Sequence, residues 1–509
     1  MRMTNKIMQN NSLYNINQTK MAEDKYTTQM TSQSKIDRPS DDPVVAIRAL
    51  RLRTNVTEVT QYYEKNAPDA EQWLDVTAGA LTTVTDILTN LYKQAEKGFN
   101  KDLKADDLQV IVDQMNAYTK EFYATGNQDY AGRYIFTGYR TDMELTFSEP
   151  STTSYTITER FGLEDLDVFN YTDDSVLEKS DTLATADETQ IANTDLHRLR
   201  LSYKDIDPSE LVIRVINEDG STAYNSNGTV VFHHTTPALS FDYALNAITT
   251  DREKDPADQT RLSYYTSDTG EIFLTDAAYQ QIEAALLAGK KVEVTYSKDS
   301  WQEGDLHPEH FFSCIEHKET GDIAYNSDFD VNKEINYDVG YNQKIQVNTN
   351  ANEVFIHDLY RDMDDLSKAV DELEKVESLK EELEQKLSST SEASLDYSKI
   401  QNQLDAATKA YDYIRENVKN LFSGQITKYQ DYLDKTNLAI TKNGTRSSRL
   451  ELISSRLMDQ QATYKELQEE NEGVDMTETA VKLASAKLTY DAALQATGKI
   501  LQNSLMNYI

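Results

Sequence analysis

A single cysteine, Cys314, stands among the 509 residues, so no disulfide can close within the chain and cysteine usage does not place its compartment. No stretch approaches the roughly 18 apolar residues needed to cross a bilayer. The opening Met-Arg-Met-Thr-Asn-Lys-Ile lacks the apolar core of a secretory signal peptide. On its face such a chain is cytoplasmic, although a protein leaving through a dedicated export channel reads the same way. Basic residues are scarce, 51 against 86 acidic, for a net charge of -35. A long acidic surface repels nucleic acid and anionic lipid, which argues against both as partners. P-loop, dinucleotide fingerprint, nucleophile elbow and His-Glu-x-x-His are all missing. With seven histidines and 31 tyrosines the chain reads as built for packing surfaces, not for catalysis.

Apolar residues are also lean, at 39% with a mean hydropathy of -0.65. The length is too great for one hydrophobic core, so two or three domains are expected, in an elongated rather than compact molecule. The charge is unevenly spread. Residues 1–60 and 421–509 together hold 19 basic and 17 acidic residues, whereas 61–420 hold 32 and 69. Near-neutral ends can pack against copies of themselves, while a body near -37 stays in solvent.

Three zones separate by pattern. In 1–140, Ile7, Tyr14 and Met21 recur every seven residues, which favours a seam for another helix. The residues between them are often Asn, Gln or Thr, too polar for a helix that stands alone. Pro39 and Pro43 break the helix, Asp42 suits an N-cap and Pro43 the first helical position, so a second helix starts at 43. Pro68 should bend it. A helix over 103–124 and an aromatic turn at 127–138 follow. In 141–350, β-branched or alternating runs at Leu211–Ile216, Thr229–Phe232 and Lys291–Tyr296 predict a β-rich domain with one helix, Ala277–Ala288. In 351–509 Leu359, Met363, Leu366, Val370 and Leu373 form a heptad seam. Ser388–Ser394 reads as a turn between helices, and Leu450, Ile453, Leu457, Tyr464 and Leu467 resume the pattern. The last helix carries Leu483, Tyr490, Leu494, Leu501, Leu505 and Tyr508 at steps built from seven, four and three. An ordinary bundle core explains such stripes too; their reach toward both ends favours terminal helices that find partners instead.

Four segments carry a resemblance. Ser34-Lys-Ile-Asp-Arg-Pro-Ser-Asp-Asp-Pro43 followed by Ala46-Ile-Arg-Ala-Leu-Arg51 resembles the segment after the first helix of flagellar hook–filament junction proteins. Asn127-Gln-Asp-Tyr-Ala-Gly-Arg-Tyr-Ile-Phe-Thr-Gly138 is similar to that family's turn into its inserted domain. Gly444-Thr-Arg-Ser-Ser-Arg-Leu-Glu451 and the ending 499–509 resemble its C-terminal helices. The likeness covers roughly 1–140 and 440–509 and is loose between; Pro68 and the acidic insert around 374–425 depart from it. It implies an α+β, multidomain fold: a flagellin-like antiparallel coiled coil of the N- and C-terminal segments with an inserted β-rich outer domain. It also implies a structural subunit joining hook to filament, located at the flagellum outside the cell and exported without a cleaved signal peptide. Its partners would be further copies in a helical ring, the adjacent hook-associated protein, flagellin and an export chaperone. Flagellin or a minor filament subunit is the alternative. The Arg38–Pro43 sequence favours the junction type over the runs flagellins usually carry there. Candidate assembly residues are Ile7, Tyr14, Met21, Arg38, Asp41, Asp42 and the six of the last helix. For Arg38, Asp41 and Asp42 two roles stay open, contact with a neighbouring subunit or bracing of the corner alone.

Two chemical patterns remain. His307, His310, Cys314 and His317 have ligand-like residue types, yet their order is not that of a standard zinc site, and surface or satisfied interior imidazoles are the simpler reading. Asp328-Phe-Asp330-Val-Asn332 opens like a calcium loop but puts Lys333 where the glycine belongs and Val339 where the bidentate carboxylate belongs. No cofactor is expected. A metal-dependent enzyme and a coiled-coil adhesin or scaffold stand as the contrasting readings.

Overall fold

The computed structural model describes residues 5–506 except 101–102, 179–182, 208–210, 218, 224–232, 237, 240–243, 245–247, 249–262, 319–320, 332 and 393. The strand expected at Thr229–Phe232 lies outside these. The chain divides into two compact units, one made of 1–71, 337–345 and 448–509, the other of 72–336 and 346–447. Three sequence zones thus feed two units, because both units draw on distant parts of the chain.

The first unit is helical. It contains α1 (Asn5–Ser32) and α2 (Pro43–Gln61), the last turns of α8 (Leu395–Glu472) and α9 (Met476–Met506). As anticipated, α2 starts at Pro43, where Asp42 in extended conformation accepts from the Val44 and Val45 amides at 3.0 and 3.1 Å. Proline 68 does not end the helix. A π-turn, Tyr62–Asn66, precedes it directly, with the Ala67 amide reaching back to Tyr62, and α3 (Ala67–Gly98) runs on. Proline lacks an amide and its ring crowds the carbonyl four residues back, so a locally widened turn admits it. A hairpin braces this turn: β14 (Asn336–Gly340) and β15 (Gln343–Gln346), where Tyr337 hydroxyl donates to Asp69 and Asn66 Nδ2 donates to the Asp338 carbonyl at 2.7 Å.

At the joint between α8 and α9, Ser34 and Gly473 form an antiparallel bridge, with Lys35 N to Glu472 O at 2.7 Å and Val474 N to Gln33 O at 3.1 Å. A Cβ on Gly473 would stand 2.5 Å from the Glu469 carbonyl, so only glycine fits this close approach.

The second unit joins a helical bundle to two sheets. Most of α3, α4 (Ala105–Gly126), α7 (Asp358–Ser389) and α8 up to 447 bury Trp73, Leu81, Leu88, Met115, Phe122 and Phe422. All five of the heptad residues Leu359–Leu373 are buried, and the turn between α7 and α8 falls at 390–394 as the polar run predicts. The acidic insert is part of this bundle: Val376, Leu383, Ala406, Ala410, Ile414 and Val418 give it a buried apolar stripe. The aromatic turn forms a tight hairpin of β1 (Asp129–Tyr130) and β2 (Arg133–Tyr134), with Ala131 and Gly132 both at positive φ. Arg133 lies 4.8 Å from the Trp73 ring centre.

One sheet has six antiparallel strands in the order β13-β12-β3-β11-β6-β7: β3 is Ser154–Phe161, β6 Leu211–Ile216, β7 His233–Thr236, β11 Lys291–Lys298, β12 Ser313–His317 and β13 Ile323–Tyr325. The other runs β4-β5-β10-β9-β8, from β4 (Leu166–Asp173), β5 (Ala192–Arg200), β8 (Ala238–Leu239), β9 (Ser263–Thr266) and β10 (Glu271–Leu274), with β8 parallel to β9. Short α5 (Ser175–Glu178) follows β4, and α6 (Asp276–Leu287), the expected helix, follows β10 with Thr275 as its cap.

Candidate assembly surfaces

Helices α1 and α9 pair antiparallel, Tyr26 sharing a shallow groove with Lys482 and Thr19 with Thr489. Along α1 a series of half-buried positions runs Ser12, Ile16, Thr19, Glu23, Tyr26 and Met30, flanked by half-buried Ala22 and Gln29, and along α9 a series runs Leu483, Ala486, Tyr490, Ala493 and Thr497, preceded by half-buried Ala480. Both series step by four and three, so each helix contributes a heptad seam. The seam is small-residued and polar. Apolar burial of that quality gives a pair of terminal helices little stability of its own.

Ile7, Tyr14 and Met21 lie on the opposite side of α1, 49%, 64% and 64% exposed. In the heptad that puts Ile16 and Thr19 at the seam, these three occupy the position farthest from it. Helix α9 repeats the arrangement: Val481 and Leu488 occupy its outermost position, 66% and 73% exposed. Leu483 and Tyr490 instead face α1, and Leu494 stands at the edge of that pairing. Leu501 and Leu505 lie on helical backbone with their side chains outside the described residues, as is the whole of Tyr508. Each terminal helix therefore carries a small-residued, largely polar seam used within the chain and an exposed apolar stripe that is not.

At the corner between α1 and α2, Asp41 Oδ2 accepts from the Asp37 and Arg38 amides at 3.0 and 2.8 Å, which holds its carboxyl below the usual carboxylate range. Asp42 caps α2. Both carboxylates are thus engaged in bracing, while the Arg38 side chain is 79% exposed, with Asp37 4.0 Å away. Val44, Ile47 and Leu50, one helical turn apart, form an exposed apolar row that sequence reading passed over.

The histidine group gathers only in part, the His307 and His310 rings lying 6.0 Å apart edge to face. His317 bonds Asp322 at 3.0 Å and Thr156 at 2.9 Å on an open strand. His310 is interior, its Nε2 donating to the Glu144 carbonyl at 3.1 Å, and burial pulls it down to about 4. His307 stacks on Phe147 at 3.7 Å, and Cys314 is buried with its thiol pushed up by that burial. Among the described residues no three His, Cys, Asp or Glu side chains are placed to hold a metal. Lys333 sits 3.5 Å from Asp328, occupying by charge the loop that began like a calcium site.

A serine, a histidine and an acid do meet, at Ser202, His357 and Asp358, a grouping invisible in the sequence because 155 residues separate the first two. It is no nucleophile relay. His357 Nδ1 serves both Ser202 Oγ at 2.8 Å and Asp358 at 3.0 Å, whereas a relay needs the two ring nitrogens to face different partners. Burial would lower His357, but Asp358, Glu159 and Asp165 outweigh it and hold the ring up at about 9, protonated at neutral pH. A charged imidazole cannot take the serine proton.

Comparison with known proteins bears on the helical N-terminal part. Residues 3–141 match the bacterial flagellin N-terminal helical region. This part of the chain is flagellin-like. Across 150 residues the chain is 27% identical to flagellar hook-associated protein 3 of Escherichia coli, covering 29% of this chain and 47% of that one. It is 25% identical over 143 residues to flagellar hook-associated protein 3 of Salmonella typhimurium, covering 28% and 45%. The chain thus spans about half the length of the curated relatives it matches. A solved FlgL from Xanthomonas campestris aligns over 82% of this chain and 98% of its own at 12% identity, with a TM-score of 0.31. FlgL from Legionella pneumophila, described as a flagellar junction protein, aligns over 80% and 99% at 10% identity and a TM-score of 0.26. At such scores the structural likeness adds no weight.

Proposed function

We propose that the chain is a structural subunit of the bacterial flagellum that joins hook to filament. The observation that carries the assembly mode is the second apolar stripe on each terminal helix, Tyr14 and Met21 on α1 and Val481 and Leu488 on α9. An exposed row of this kind opposite a filled seam is what a helix offers to neighbouring helices of further copies. The weak intrachain seam fits helices that gain most of their stability on joining a ring of copies. On this reading 1–140 and 351–509 supply the helical parts, and 141–350 is an insert carried along.

The adjacent hook-associated protein lies on one side and flagellin on the other, and a chaperone covers the C-terminal helix before export. The protein reaches the outside of the cell through the flagellar export route. Flagellin itself, or a minor filament subunit, is the second reading, because the matched N-terminal region is that of flagellin.

The test is a clean deletion followed by microscopy of hooks and assay of flagellin in the medium. Intact hooks without filaments, with flagellin spilled, support the junction role. Filaments that still form, or loss of the bulk filament protein itself, sink it.

A further inference from the structure

Arg198 and Arg200 point from the same side of β5 into a set of carboxylates. Arg198 bonds Glu271 Oε1 at 2.5 Å, Asp167 at 2.7 Å and Asp365 at 2.6 Å; Arg200 bonds Asp362 Oδ1 at 2.5 Å and Asp365 at 2.8 Å. Lys428 of α8 adds a second contact to Asp362 Oδ1 at 2.7 Å. These groups line a cavity of about 300 Å³ bounded by β4, β5, α7 and α8.

Its polar groups are unequally satisfied. Glu271 Oε2, Asp362 Oδ2 and Gln425 Oε1 are all buried without a hydrogen-bond partner, and all three residues line this one cavity. Their residues are 2%, 2% and 4% exposed. Buried acceptors left unmade are costly, and three in one cavity call for a donor-rich occupant. With Lys368 and Glu372 the lining holds five carboxylates against four bases, a surplus of one negative charge. The rest of the wall mixes apolar side chains, Phe169 and Tyr171 on the sheet side and Ile414 and Leu421 on the helix side, with the polar Asn170, Thr172, Asn417 and Asn420.

We propose that this cavity binds a small primary aliphatic amine in its ammonium form. An ammonium group has three N–H donors and one positive charge, matching three vacant acceptors and one surplus negative charge. Its alkyl stem packs on the aromatic and aliphatic wall. A divalent metal suits the site poorly, because Arg198, Arg200 and Lys428 already place positive charge on the companion oxygens of the same carboxylates. The site is independent of the assembly role.

Isothermal titration of the purified full chain with n-butylamine hydrochloride at neutral pH tests this, with sodium chloride at matched ionic strength as baseline. Saturable binding with a Kd of about 1 mM or tighter is expected for a ligand of this size. Tetramethylammonium, equally charged but without N–H donors, should not bind. Gln425→Met keeps every ion pair and nearly the same volume while removing one vacant acceptor, and should weaken butylamine about tenfold. A thermal melt of that variant separates lost binding from lost fold. Absence of saturable heat up to about 20 mM, where even a weak ligand of this size registers, would overturn the proposal. So would equal binding of tetramethylammonium, or unchanged affinity in a folded Gln425→Met.

Discussion

Arg53 of α2 and Glu472 at the end of α8 form a bidentate pair, Arg53 Nε lying 2.9 Å from both carboxylate oxygens, although 419 residues separate them in sequence. The Glu472 side chain is 11% exposed and the Arg53 side chain 57%, so the carboxylate is the desolvated partner. The pair clasps the corner at which the α1–α2 loop meets the α8–α9 joint. Replacing Arg53 by Ala leaves a mostly buried carboxylate without its cation, and should cost about 1–2 kcal/mol. Glu472→Ala should cost less, and a double-mutant cycle by urea unfolding should show coupling between the two positions.

The corner separates bracing from contact. Asp42→Ala removes the cap of α2 and should lower stability by about 1 kcal/mol in a thermal melt. Arg38→Ala, at a side chain 79% exposed, should leave the melt nearly unchanged. If Arg38 touches a neighbouring subunit, the same variant should nevertheless reduce motility; normal motility with Arg38→Ala would leave the corner with bracing alone.

Charge placed on the outer stripe is the sharpest probe of assembly. Tyr14→Asp and Leu488→Asp alter side chains that solvent already reaches, so circular dichroism of the purified chain should scarcely change. Incorporation into flagella, followed by immunogold labelling, should fall severely for both. Ser12→Asp, at the polar seam within the chain, should instead weaken the α1–α9 pair and speed amide exchange there.

His357 gives the protein a pH dependence of stability. Its folded value of about 9 lies above the ordinary 6.5, so its contribution is fully present below about 6.5 and disappears as pH rises through 9. Because the ring is partly exposed, a loss of about 1–2 kcal/mol is expected between those limits. Urea midpoints measured from pH 6 to pH 10 should decline across this window in the natural protein. They should be flatter there in His357→Gln.

How much of this was legible beforehand depends on the range of the interaction. Asp42 and Pro43 start α2 through bonds that span three residues, and the heptad of Leu359 to Leu373 finds its buried face by periodicity alone. The turn at 390–394 and strands β6 and β11 follow from equally local patterns. Pro68 announced a disturbance but not its form, because the choice of a π-turn depends on what the widened turn can bond to. Here Asn66 and Glu64 reach Asp338 and Gln461, hundreds of residues away. The seven-residue spacing of Ile7, Tyr14 and Met21 gave a stripe without saying which neighbour it meets; the polar residues Ser12 and Thr19 face α9 instead.

The amino-acid order by itself determined the long helices, strands β6 and β11, the charge difference between ends and body, and the flagellin-like character of the N-terminal region. Those properties arise from caps, periodicity and composition, which act over a few residues. The tertiary structure alone decided which carboxylate meets which guanidinium, and that an acidic insert would have a buried apolar core. Asp358, Asp362 and Asp365 share one face of α7, and Arg198 and Arg200 one face of β5, but only folding carries a strand across 167 residues to that helix. A charge can be buried only when its partners are brought to it, and the sum of many weak long-range contacts, not any local preference, fixes that meeting.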